Sequence, residues 1–138
     1  MISAVLDTNV LVSANLNDEG LEAFVVSLAL NQRLPFYVSE PILREYERVL
    51  RYARLKFIPS EIDAFLKKVR DASILVAPTH VVTECHHEPD NRFLECAEKA
   101  KADYLVTGNI KHFPAHWKHT HVVNAREFLQ RWQAEDWS

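Results

Sequence analysis

Short apolar runs alternate along this chain with segments of helical period, and that alternation is the pattern of a mostly parallel sheet covered by helices on both faces. The first run, Ile2-Ser3-Ala4-Val5-Leu6, reads as a buried strand. From Leu21 to Gln32, Leu21, Phe24, Val25, Leu28 and Ala29 recur at helical spacing, and Phe36-Tyr37-Val38 reads as the second strand. Ser39 suits an N-cap and Pro41 a first turn, so a helix is expected from Glu40 to about Leu55. A further helix should cover Ser60 to Asp71, capped by Ser60, with Ile62, Phe65, Leu66 and Val69 facing inward. Ile74-Leu75-Val76 is a short strand or edge, while Val81 to His87 carries no readable pattern. Pro89 opens a helix to about Lys101, and Tyr104-Leu105-Val106 and His121-Val122-Val123 read as strands. Asn124 with Glu127 resembles a capping box ahead of Phe128, Leu129 and Trp132.

With 138 residues, 48% of them hydrophobic, the chain is expected to form one domain over 1–138 without help from disulfides or a structural metal. Cys85 and Cys96 have neither metal-ligand nor redox spacing, and the N-terminus lacks the features of a signal peptide. A reduced, cytoplasmic, soluble protein is expected. The longest apolar stretch, around Val25 to Leu30, falls far short of the roughly 20 residues that span a bilayer. Only 2 glycines rule out a glycine-rich phosphate loop. A net charge of -3 argues against holding nucleic acid by bulk positive charge, and leaves room for a local basic face.

Several carboxylates stand where core-facing residues should. Asp7 follows the first strand, at the end where open α/β sheets bind ligands. On the helix from Glu40 the inward stripe is Ile42, Tyr46, Val49, Leu50 and Ala53; Glu45 lies on its border and Glu47 points away. A carboxylate beside an apolar seam loses hydration unless something positive compensates it. Arg44, Arg48 and Arg51 run along a neighbouring strip, so an ion pair with Arg48 or Arg44 is the plainer account of Glu45 taken alone. On the helix after Pro89, Phe93, Ala97 and Ala100 face inward, Asp90 falls between Ala97 and Leu94, and Glu95 falls on the far side. A first-turn cap or dipole role explains Asp90 as well as a site does. Past Tyr104–Val106 comes Thr107-Gly108-Asn109. In a parallel sheet Asp7 and Asn109 share one edge, and Asp103 sits at the other, capping or pairing structurally. Asp7, Glu45, Asp90 and Asn109 are thus oxygen donors from two strand ends and two helix starts, the supply that Mg²⁺ or Mn²⁺ prefers. Without a cation, such carboxylates repel and shift toward protonation.

Four stretches taken in order carry a resemblance: Val5-Leu6-Asp7-Thr8-Asn9-Val10-Leu11-Val12-Ser13-Ala14, Ser39-Glu40-Pro41-Ile42-Leu43-Arg44-Glu45-Tyr46, Asp90-Asn91-Arg92-Phe93-Leu94-Glu95-Cys96-Ala97 and Ala102-Asp103-Tyr104-Leu105-Val106-Thr107-Gly108-Asn109. Together they resemble PIN-domain ribonucleases, in the branch described as toxins of toxin–antitoxin systems. The resemblance implies a three-layer α/β/α sandwich around a central mostly parallel sheet, and Mg²⁺- or Mn²⁺-dependent cleavage of single-stranded or loop RNA. The family's acidic positions fall on Asp7, Glu45 and Asp90, the implied metal ligands. Its fourth acid falls on Asn109, a departure that removes one negative charge. Thr8 and Asn9 would serve the first loop, Asn9 or Thr107 would fix Asp7 by hydrogen bonds, and Asp103 would support. Arg44, Arg48 and Arg51, with Lys111 and His112, are candidate phosphate contacts, though a solvated helix face also explains such arginines. The implied partners are an RNA substrate, a cognate antitoxin protein covering the acidic site and a second copy in a homodimer, with no membrane.

Three other readings compete. With Asn109 in the fourth position, the chain could bind RNA or a protein partner without cutting. A phosphoryl-transfer enzyme could use Asp7 as nucleophile, but families of that kind place a second Asp where Asn9 stands. A zinc site could draw on Cys85, His86 and His87, or on His112, His116, His119 and His121, although surface histidines account for these more simply. Trp117, Trp132 and Trp137 mark a candidate contact surface, with core packing an equal account of Trp132.

Overall fold

The opening apolar run forms β1 over Ala4–Leu6 with every residue buried. Thr8–Leu16 then forms helix α1, although its apolar residues make no one-sided stripe: Val10 and Leu11 are buried, Val12 and Ala14 half-buried. Its start is set by Asp7, whose side chain accepts the Thr8 N–H. Helix α2, Leu21–Leu30, buries Val25, Val26, Leu28 and Ala29. Leu21 and Phe24, expected inward, are 38% and 52% exposed, because α2 packs against other helices rather than lying on the sheet.

After β2, Tyr37–Val38, Ser39 caps helix α3 by accepting from Ile42 N–H, and α3 runs over Glu40–Leu50. It stops short of the expected Leu55. Tyr52 turns extended, Ala53–Leu55 form a 3₁₀ turn, and Lys56 closes it in the left-handed region at φ 57°. Ala53 is therefore exposed instead of joining the buried stripe. Helix α4, Pro59–Ala72, starts before Ser60: Pro59 takes the first turn, Ile58 is the cap residue, and the serine caps nothing. Strand β3 is Ile74–Leu75. A 3₁₀ turn over Glu88–Asp90 precedes helix α5, Asn91–Ala100. Glu95 does not face solvent as expected. It is clamped between Arg92, at 2.9 Å, and the Val82 N–H, at 3.0 Å, so it ties down the segment that has no periodic pattern. Strand β4, Tyr104–Val106, is followed by β5, His116–Trp117, β6, Thr120–Val123, and helix α6, Ala125–Trp137.

A computed structural model describes residues 1–137, the side chains of Asp136 and Trp137 excepted, so the expected role of Trp137 lies outside the described residues. In it β1 pairs in parallel with β4 and β4 with β6, while β5 runs antiparallel to β6. The parallel pair β2–β3 joins this sheet through a bridge between Ala4 and Phe36. Tyr104 meets Phe128 of α6 edge-on at 5.7 Å, so Leu105, one residue on, faces the opposite side, where α5 lies against β1, β2 and β4. The result is a three-layer α/β/α sandwich whose core gathers Val5, Leu6, Tyr46, Phe93, Leu105 and Phe128. Among the described residues, no helix is long and apolar enough to cross a membrane.

Candidate metal centre

Strand register builds the centre. Leu6 pairs with Val106, so the residues that follow, Asp7 and Thr107, stand side by side at the carboxyl edge of the sheet. The Asp7 N–H donates to Val106 O at 2.9 Å. Thr8 N–H donates to one Asp7 oxygen at 2.8 Å and the Thr107 hydroxyl to the other at 2.7 Å. Of the two residues expected to fix Asp7, Thr107 does so; Asn9 instead accepts from Gly108 N–H at 3.0 Å and steadies the loop after β4. Asn109 N–H closes that loop on the Thr107 oxygen at 3.0 Å.

Glu45 arrives by a different route. Its neighbour Tyr46 is fully buried, and the Tyr46 hydroxyl donates to the Leu6 carbonyl, pinning α3 to the end of β1. Burial holds that phenol well above its usual range, which keeps it a donor. Glu45 thereby reaches Thr8, whose hydroxyl donates to it, and lies 3.9 Å from Arg48. The expected ion pair is present, and the same carboxylate also faces the cleft. Asp90 ends the 3₁₀ turn before α5. Asn91 holds that turn by accepting from Cys85 N–H at 2.9 Å and donating to Glu88 at 2.7 Å. The Asp90 side chain makes no capping bond, which sets the cap reading aside; the His112 ring lies 3.8 Å from it.

Asp7, Glu45, Asp90 and Asn109 line one cleft of about 530 Å³, with Arg48 and His112 at its wall. Burial, reinforced by the charges of Asp90 and Glu45 and opposed by the bonds from Thr107 and Thr8, pushes the Asp7 carboxyl up to about 7. Burial also raises Asp90, against the pull of His87 and His112. These groups do not form a closed cage. Among the described residues, no three His, Cys, Asp or Glu side chains are gathered tightly enough to enclose an ion, the Cys85–His87 and His112–His121 sets included. The donor set nonetheless fits a hard cation: it is all oxygen, and its members destabilise one another's charge. Burial pushes the Cys85 and Cys96 thiols up to about 11 and about 12, so neither is an available nucleophile.

Other expected residues lie elsewhere. Asp103 sits at the opposite edge of the sheet, accepting from Ser3 N–H and His119, each at 2.9 Å. Burial works to raise its carboxyl, but these bonds outweigh it and hold the group below the usual range. Arg51, expected to contact phosphate, turns away from the cleft, because Glu47 at 3.2 Å and Asp63 at 2.5 Å take its guanidinium. Arg44 and Lys111 are exposed outside the cleft, and Arg48 alone of the α3 arginines lines it. Tyr52, Arg54 and His87 also line the cleft; His87 was expected only as a zinc ligand, and Tyr52 and Arg54 fall in the segment where α3 has already ended.

Acidic groups gathered at the carboxyl edge of a parallel sheet in an α/β/α sandwich are the geometry of a nuclease-type domain. The PIN domain family model matches residues 3–111, a span that includes Asp7, Glu45, Asp90 and Asn109, and the chain belongs to that family. An uncharacterized protein of Methanocaldococcus jannaschii is 26% identical over 144 residues, covering 96% of this chain and 92% of that protein.

Proposed function

We propose that this protein is a divalent-metal-dependent endoribonuclease that cleaves single-stranded or loop RNA in the cleft between Asp7, Glu45 and Asp90. The supporting observation is that a buried Asp7, held by two hydrogen bonds, faces two further carboxylates in one cleft. Asp7, Glu45 and Asp90 would hold Mg²⁺ or Mn²⁺, with the Asn109 amide oxygen as a neutral fourth donor. The bound ion supplies a water of lowered pKa and offsets the charge of the scissile phosphate. Thr107 and Thr8 keep Asp7 oriented, and the Thr8 hydroxyl does the same for Glu45. Arg48, at the cleft wall, offers positive charge to the phosphate backbone.

Purified protein should cut single-stranded RNA with Mn²⁺, and Asp7→Asn should not; equal cleavage by both proteins overturns the assignment. Because Asn109 removes one negative charge from the site, Asn109→Asp should tighten Mn²⁺ binding several-fold by calorimetry. An unchanged affinity contradicts its place beside the ion. If RNA binds but is not cut by either protein, the chain is a binding module of the same fold. The resemblance to toxin-branch proteins supports a role as the toxin of a pair, with an antitoxin protein covering the cleft and a homodimer as the working unit. Growth arrest on expression, relieved by co-expressing the neighbouring reading frame, tests that role.

A further inference from the structure

Beyond Leu50 the chain leaves α3, and Tyr52 and Arg54 join the wall of the cleft that holds Asp7 and Glu45. Two guanidinium groups lie over the half-buried Tyr52 ring, Arg54 at 5.2 Å and Arg48 at 5.8 Å from its centre, so a base that stacks there takes the place of an exposed arginine side chain. Arg48 also donates to the Tyr52 hydroxyl and lies 3.9 Å from Glu45, so a single guanidinium bridges the aromatic ring and the Glu45 carboxylate. An aromatic face with flexible cations beside it is what single-stranded nucleic acid uses: the ring stacks a base, and the cations meet the adjoining phosphates. A base in a duplex has both faces covered by its neighbours and offers nothing to such a ring.

We infer that Tyr52 is a stacking platform for one unpaired nucleobase next to the scissile bond, with Arg48 and Arg54 contacting the flanking phosphates. Substrates are thereby restricted to single strands and splayed loops. The inference rests on the proposed RNA-cleaving function and specifies its substrate. A purely structural role is the competing account, in which the Arg48–Tyr52 pair, spaced i,i+4, merely finishes the helix. The two accounts differ in what RNA does.

The test uses the Asp7→Asn protein without metal, so that binding is read apart from cleavage, and a short single-stranded RNA carrying 2-aminopurine. Binding should quench the 2-aminopurine. Tyr52→Leu should abolish the quenching and weaken binding about tenfold, the order of one base–aromatic stack. Tyr52→Phe, which keeps the ring and loses the hydroxyl, should retain both. Affinity for a duplex of the same sequence should not change with Tyr52→Leu, and matched unfolding curves exclude a misfolded variant. Unchanged quenching in Tyr52→Leu, an equal loss for duplex and single strand, or failure of the Asp7→Asn protein to bind single-stranded RNA each overturns the platform. Tyr52-dependent quenching alongside a wild-type protein that cannot cut would retain the platform and remove the nuclease. Metal-dependent cutting that ignores Tyr52 would do the reverse.

Discussion

Burial at the carboxyl edge of the sheet works against the charge on Asp7. That burial pushes its carboxyl up to about 7, against 3.8 for an ordinary aspartate, so the folded state binds the proton more tightly than the unfolded chain does. Stability conferred by that proton is complete below the unfolded value and is lost as pH rises toward 7. The metal-free protein should therefore melt at a lower temperature at pH 7.5 than at pH 5, a scan that calorimetry can make. Asp7→Asn keeps an oxygen for the Thr8 N–H and should flatten that slope, while Mn²⁺ at pH 7.5 should raise the melting temperature of the wild type only. A metal-free wild type whose slope matches that of Asp7→Asn would contradict this. The residue was legible as a candidate because an apolar run ended on it. Its bond from Thr107 was not, since partners 100 positions apart leave no local pattern.

At the scale of elements, α3 is the part whose placement matters most to the cleft. Tyr46 joins it to β1 through the Leu6 carbonyl, and Glu45 follows wherever that bond puts the helix. Tyr46→Phe should cost about 1 kcal/mol in urea unfolding, the net worth of a buried hydrogen bond. It should also lower Mn²⁺ affinity, although Tyr46 is not itself a proposed ligand; a stability loss with unchanged affinity would mean that packing alone places α3. Periodicity made this helix readable, including Glu45 at its border, because a one-sided stripe needs no tertiary information. Its C-terminus was unreadable for the opposite reason: Arg51 caps it and Tyr52 turns extended ahead of a separate 3₁₀ turn, and neither breaks the spacing of Val49, Leu50 and Ala53. Helix α1 escaped for a related cause, since its apolar residues surround the axis and its start depends on a cap that doubles as a site residue. Tyr52 and Arg54 were lost along with the end of α3.

Across the whole molecule, the two edges of the sheet have divided roles. The carboxyl edge collects acidic groups whose protons are held too tightly, and the amino edge collects Asp103, whose proton is held too loosely. Ser3 and His119 bind the Asp103 carboxylate and so tie β1 to the hairpin that follows β4. Its contribution is present above the unfolded pKa and fades as pH falls through the folded one, the opposite of Asp7. Asp103→Ala should lower the melting temperature at pH 7 yet leave Mn²⁺ binding and RNA cleavage unchanged. Lost metal binding would show that the edges are coupled.

The pairing of Leu6 with Val106 also has a consequence in time. Asp7 is synthesised 100 residues before Thr107, so the acidic cleft stays unformed until β4 leaves the ribosome and docks beside β1. A nascent or truncated chain that ends before Tyr104 carries most of the acidic side chains but no assembled edge to hold them.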